Sequence, residues 1–186
     1  MLTHEEKRRL IAIARESISN ALAGRPYAPP DPGDGALAER RGAFVTLRTA
    51  VGHELRGCVG YPQAVIPLAR VVADAARKAA LEDYRFSPVQ ARELAGLAIE
   101  VSVLSPFTLV RDTSEIQIGR DGLLLEAGSR RGLLLPQVAP EYGMDVPEFL
   151  DAVCRKSGLP PGAWAKPGAE LFRFSAEIVE EADVTT

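Results

Sequence analysis

Ala43-Phe44-Val45-Thr46-Leu47-Arg48, a polar break around Gly52-His53, and then Glu54-Leu55-Arg56-Gly57-Cys58-Val59 are the residues on which the fold turns. Both runs are short and rich in β-branched or apolar residues, so they read as two strands joined in a hairpin. A helical pattern follows over Ile66 to Leu81, with Pro67 suited to its first turn and a series of alanines allowing close approach to a sheet. Ser87, Pro88 and Gln90 predict a short helix that ends near Gly96. Ala98 to Leu104 then alternates, with Ile99, Val101 and Val103 on one face and Glu100 and Ser102 on the other. Hairpins and helices without a regular β-α-β rhythm predict an α+β fold with antiparallel or mixed sheets and flanking helices.

Working outward, the N-terminal side opens with a helix. Thr3 and Glu6 have capping-box spacing, Leu10, Ile11, Ala14, Ile18 and Leu22 recur on one face, and Gly24 marks the stop. The segment from Arg25 to Gly35, rich in Pro, Gly and Asp, is expected to be a surface loop. On the C-terminal side, Gly-Leu-Leu-Leu occurs on both sides of Gly128-Ser129 between Gly122 and Leu135, predicting a second hairpin. Asp145 with Glu148 predicts a cap for a helix carrying Phe149, Leu150 and Val153, ended by Gly158. Leu171 to Val179 reads as one alternating strand.

The 186 residues are 46% hydrophobic and 25% charged, ordinary globular values that provide for one core or two small ones. A formal net charge of −3 and 6% aromatic residues argue against a nucleic-acid surface, which combines a basic stripe with stacking platforms. No run approaches the roughly 18 apolar residues of a membrane span. Met1 to Arg9 is charged and lacks the apolar stretch of a signal peptide, so a cytoplasmic location is expected. Two cysteines far apart, Cys58 and Cys154, read as free thiols, the latter in a core. With only His4 and His53, and no Cys-x-x-Cys or His-x-x-x-His, no metal site and no cofactor are expected.

Chemistry concentrates in Leu55-Arg56-Gly57-Cys58-Val59-Gly60. In a regular strand Arg56 and Cys58 share a face at about 7 Å, where a guanidinium favours the thiolate. Gly57 and Gly60 leave room for a ligand or for another backbone. Packing alone accounts for the same residues, since a free cysteine behaves as a small hydrophobe. His53 is a poor base for Cys58: five residues away along a strand is roughly 17 Å, and on the opposite face. Glu100 is the better candidate base, although an ion pair with Arg56 or Arg85 is the simpler account of it. Asp83 can hold Arg85 for an anionic ligand or simply fix the loop. Arg130-Arg131, followed by Pro136 and Gln137, suits either an anion or a solvated turn.

Several ordered segments together resemble the AMMECR family, also known as protein A of the AmmeMemoRadiSam system. They are Gly42 to Leu47, Leu55 to Gly60, Asp83-Tyr84-Arg85-Phe86-Ser87-Pro88, Ile99 to Pro106, Ile118-Gly119-Arg120-Asp121-Gly122 and Arg131 to Gln137. The resemblance runs from about Glu5 to Glu180. It implies one AMMECR-type domain over residues 1–186, built as two packed lobes, with Arg56, Gly57, Cys58 and Gly60 lining a cleft. Asp83, Arg85, Glu100 and Ser102 would be secondary positions. It further implies a Memo-like protein and a radical SAM enzyme as partners, and it brings no reaction with it. Two departures stand out: Met144 where the family usually has tryptophan, and Tyr84 in place of proline in the Asp-Pro-Arg-Phe motif.

Three functions are compatible with these residues. One is an accessory or binding component of a multi-protein modification system. Another is a cysteine-dependent enzyme with Cys58 as nucleophile, Arg56 as anion stabiliser and Glu100 as base, acting on a small anionic substrate. The last is a nucleic-acid-associated regulator.

Overall fold

A computed structural model describes residues 1–184 and divides the chain into two compact units. Unit 1 comprises Met1–Leu104 and the chain from Glu177 onward; unit 2 is Ser105–Ala176.

Unit 1 begins with α1 (His4–Leu22), capped reciprocally by Thr3 and Glu6 as their spacing predicts. Its apolar stripe of Leu10, Ile11, Ala14 and Ile18 is buried. Past the loop, β1 (Ala43–Thr49) and β2 (Leu55–Tyr61) form the expected antiparallel hairpin. Gly52 and His53 both have positive φ in its turn. α2 (Leu68–Leu81) follows, beginning two residues later than the periodicity suggests because Pro67 is extended (ψ 145°) and serves as the N-cap. β3 (Leu97–Leu104) pairs antiparallel with β1.

β8 (Ala176–Glu180) and the short α5 (Glu181–Val184) return to this unit, giving a sheet of order β2-β1-β3-β8. Val45, Leu47, Ile99 and Val101 on one face of the sheet share a core with α1 and α2.

Unit 2 holds a second sheet, of order β4-β7-β5-β6. Its strands are β4 (Thr108–Leu109), β5 (Gly122–Ala127), β6 (Arg130–Leu134) and β7 (Ala169–Phe174). β5 and β6 make the Leu-rich hairpin across Gly128-Ser129. After the single turn α3 (Val138–Glu141) comes α4 (Val146–Lys156), with the reciprocal Asp145–Glu148 cap. Phe149, Leu150, Val153 and Cys154 of α4 are buried with Leu123 and Leu125 of β5. Cys154 is therefore a core residue, as its position predicts. Met144 packs against the same core.

Two expectations are corrected. The alternating run Leu171 to Val179 is two strands in two sheets, because the chain leaves the ladder at Ser175 and passes from β7 of unit 2 to β8. The segment after Ser87 is not helical until a 3-10 turn at Ala91–Gly96. Pro88 has no amide to give, and the Val89 amide bonds to Ala80 at 2.8 Å, which keeps the chain extended up to the Gln90 cap.

Candidate functional site

β2, which carries the Arg-Gly-Cys segment, is an edge strand of the unit 1 sheet. Thr46 in the centre of β1 lies opposite Cys58 on one side and Glu100 on the other. Cross-strand partners share a face, so Cys58, Thr46 and Glu100 form one row across three strands. Phe44 aligns likewise with Gly60 and Ser102 to form the next row. Cys58 Sγ lies 3.4 Å from Thr46 Oγ1, and Ser102 donates to Glu100 Oε1 at 3.3 Å. The Cys58 residue is half-buried, whereas Thr46 and Ser102 are buried.

The backbone of Cys58 explains the Asp83-Arg85 pair. The Cys58 amide donates to Asp83 Oδ2 at 2.8 Å, and its carbonyl accepts from Arg85 Nη2 at 3.2 Å. Both groups thus point away from β1, as they do in a non-hydrogen-bonded antiparallel pair. On that outer side a carboxylate and a guanidinium replace the missing strand. The two side chains also grip each other, Arg85 Nε to Asp83 Oδ1 at 2.9 Å and Nη2 to Oδ2 at 2.7 Å. The hydrogen-bonded guanidinium of Arg85, against the cost of burial and with help from the Cys58 amide, holds the Asp83 pKa down at about 2.

Arg56 goes elsewhere. The ladder slips by one residue between Leu47 and Arg48, leaving Arg56 with no residue opposite it on β1. Its guanidinium bonds to both oxygens of Glu93, at 3.0 and 3.3 Å, and to the Ser87 carbonyl at 2.8 Å. Arg56 in turn lowers the Glu93 pKa. The guanidinium bonded to the Cys58 residue is consequently that of Arg85.

Both glycines of the motif meet protein rather than open space. A Cβ on Gly57 would run into the Ala79 carbonyl of α2, and one on Gly60 into the Phe44 ring and the Ala43 carbonyl. Gly57 is where a helix backbone lies directly on the sheet. At the other hairpin, Arg131 pairs with Glu126 at 2.9 Å and Arg130 bonds to the Gly158 carbonyl.

Sequence reasoning overlooked Thr46 and Glu93. Thr46 could have been found, being a polar residue between Val45 and Leu47 on the same strand face as Phe44. Glu93 could not, because the partnership spans 37 residues and depends on the slipped register. Among the described residues, no three His, Cys, Asp or Glu side chains are grouped as metal ligands. No helix among them is long and apolar enough to cross a membrane.

The fold and this edge-strand centre define an α+β protein with two antiparallel sheets, organised on one side around a clamped Arg-Gly-Cys strand. The AMMECR1 family model matches residues 11–179, and the chain belongs to that family. Protein MJ0810 of Methanocaldococcus jannaschii is 43% identical over 189 residues, covering 98% of this chain and 94% of the relative. Protein TK0174 of Thermococcus kodakarensis is 45% identical, with 92% and 88% covered. The crystal structure of uncharacterized protein PH0010 from Pyrococcus horikoshii superimposes with a TM-score of 0.85 at 41% identity, covering 92% of this chain and 89% of that one.

Proposed function

We propose that this protein is an accessory or binding component of a multi-protein modification system, and that the Cys58 edge strand presents a recognition surface. The observation that carries the reading is how the charged groups near Cys58 are spent. Asp83 and Arg85 clamp the Cys58 peptide, and Arg56 is held by Glu93 and a carbonyl, so these groups serve to hold a strand in place. Family resemblance supplies the expected partners, a Memo-like protein and a radical SAM enzyme, and the charged stretch Met1 to Arg9 with two free cysteines supports a cytoplasmic setting. The family match runs through both units, which favours treating residues 1–186 as one functional domain with two lobes.

The test is co-purification of the tagged full chain with each purified partner. Cys58→Ser is expected to keep both fold and association, whereas Cys58→Trp abolishes association with its circular dichroism spectrum unchanged. Absence of any specific complex with the wild-type chain sinks this reading.

One observation favours a second reading, a cysteine-dependent enzyme. The thiol of Cys58, the hydroxyl of Thr46 and the carboxylate of Glu100 lie in one row, which suits a nucleophile with a base at one remove. The substrate class would be a small anion, with Arg56 or Arg85 supplying charge. Alkylation rates of Cys58 as a function of pH separate the two readings, with buried Cys154 as the internal control. Fast alkylation with an apparent pKa well below the ~8.5 of a free thiol favours the enzyme. Silence until denaturation favours the binding protein.

A further inference from the structure

Unit 2 contains two adjoining cavities, of about 570 and about 460 Å³, remote in sequence from the Cys58 strand. They share Thr113 and Trp164, the only tryptophan of the chain. The larger is lined by apolar Ile116, Val146, Leu150 and Trp164 and by two carboxylates, Asp112 and Asp151, with no basic side chain among the described residues of its wall.

Both carboxylates are fixed by backbone amides. Asp112 Oδ1 accepts from Ser114 at 2.8 Å, and Asp151 Oδ1 accepts from Gly162 at 3.0 Å. Elsewhere in this molecule carboxylates are commonly neutralised by an arginine, as in Asp83–Arg85, Glu93–Arg56 and Asp121–Arg120. Asp112 and Asp151 have no such partner among the described residues. Two anions beside an indole attract a cation, and the apolar wall accepts a hydrocarbon stem.

The second cavity extends the space past the indole toward Leu109 and Arg111, and along Ala169 and Glu170. There β7 outruns β4, which pairs only with Phe172 and Arg173, so Ala169 and Glu170 have β5 as their strand partner on one side alone. The groove thus continues beside extended backbone and has room for more than an isolated amine.

We propose that the Trp164 groove binds an extended basic segment of a partner protein, seating one lysine or arginine side chain in the larger cavity. The stem lies on the indole and the charge against Asp112 and Asp151. This proposal is independent of the Cys58 reading and survives its failure.

The position of Trp164 makes the test direct, since its fluorescence reports occupancy. The full chain is titrated with acetyl-Ala-Leu-Lys-Leu-Ala-amide and with the same peptide carrying norleucine for lysine. The lysine peptide is expected to give a saturable change that weakens as salt rises. The norleucine peptide should bind at least about tenfold more weakly, as loss of one charge-assisted contact implies. Asp112→Asn and Asp151→Asn each weaken the lysine peptide about tenfold while keeping an oxygen for the Ser114 or Gly162 amide, so the fold is preserved. No response, or equal binding of the two peptides, overturns the proposal. Spermidine binding as tightly as the peptide overturns it too, by making the groove a small-polyamine site.

Discussion

Asp83 is the residue on which the order of the Arg-Gly-Cys strand depends most directly. It is 7% exposed, accepts the Cys58 amide and is held by Nε and Nη2 of Arg85. Its pKa falls from near 3.8 to about 2 on folding, so folding favours the ionised form. A carboxyl with a depressed native pKa contributes stability that is complete above its unfolded value and is lost as pH falls through the folded one. The window runs from about pH 4 down to about pH 2, and the contribution at neutral pH is roughly 2 kcal/mol. Asp83→Asn keeps an acceptor for Cys58 but turns an amide toward a guanidinium. The variant is expected to lose about 2 kcal/mol at pH 7 and to show a shallower decline between pH 4 and pH 2 than the wild type. Urea midpoints measured across that range decide it; parallel curves for the two proteins contradict the assignment.

Elements explain the glycines, and they also explain what the sequence could and could not show. Gly57→Ala forces a Cβ against the Ala79 carbonyl, where backbone of both α2 and β2 must move, so a loss of about 3 kcal/mol is expected. Gly128→Ala sits in the β5–β6 turn at φ +61° with nothing within 4 Å, and should cost about 1 kcal/mol from backbone strain alone. Denaturant midpoints of the two variants test the distinction, and equal losses would mean that α2 does not press on β2. Capping boxes at Thr3 and Asp145 were legible because their partners lie three residues apart. Both hairpins were legible from short apolar runs on either side of turn residues, Gly52-His53 in one and Gly128-Ser129 in the other. The break at Ser175 was not, because the alternating pattern continues across it while the hydrogen-bonding partner changes from one sheet to the other. At the site, the chemistry of Cys58, Asp83, Arg85 and Glu100 could be picked out by residue type and motif. Their relations could not: the strand slip at Arg56 and the outward peptide of Cys58 are properties of pairing, decided by residues far along the chain.

At the scale of the whole molecule, the chain visits unit 1, builds unit 2 from the single segment Ser105–Ala176, and then returns. The returning segment is tied to the N-terminus. Glu177 accepts the Leu2 amide at 2.9 Å and pairs with Lys7 at 3.1 Å, so its pKa is lowered despite burial. Glu181 takes Arg15 at 2.6 Å through both Nε and Nη2, while the same guanidinium reaches the carbonyls of Leu94 and Leu97. Val179 of β8 is buried in the unit 1 core. Ending the chain at Ala176 therefore removes a strand from the first sheet, uncovers Val179's site and strands Arg15 and Lys7 without their carboxylates. Losing two buried valines, Val179 and Val184, together with the carboxylate of a multiply bonded arginine amounts to several kcal/mol, comparable to the whole stability of a domain. The truncated protein is expected to lose slow hydrogen exchange in β1 and β3, whose pairing belongs to unit 1. The amides of β5 and β7 should remain protected, because their partner strands and the Phe149 core all lie within Ser105–Ala176. Amide exchange resolved by segment reads both at once. Protection retained in β1 and β3 shows that the C-terminal return is dispensable, and loss of protection everywhere shows that unit 2 cannot hold its structure once unit 1 is opened.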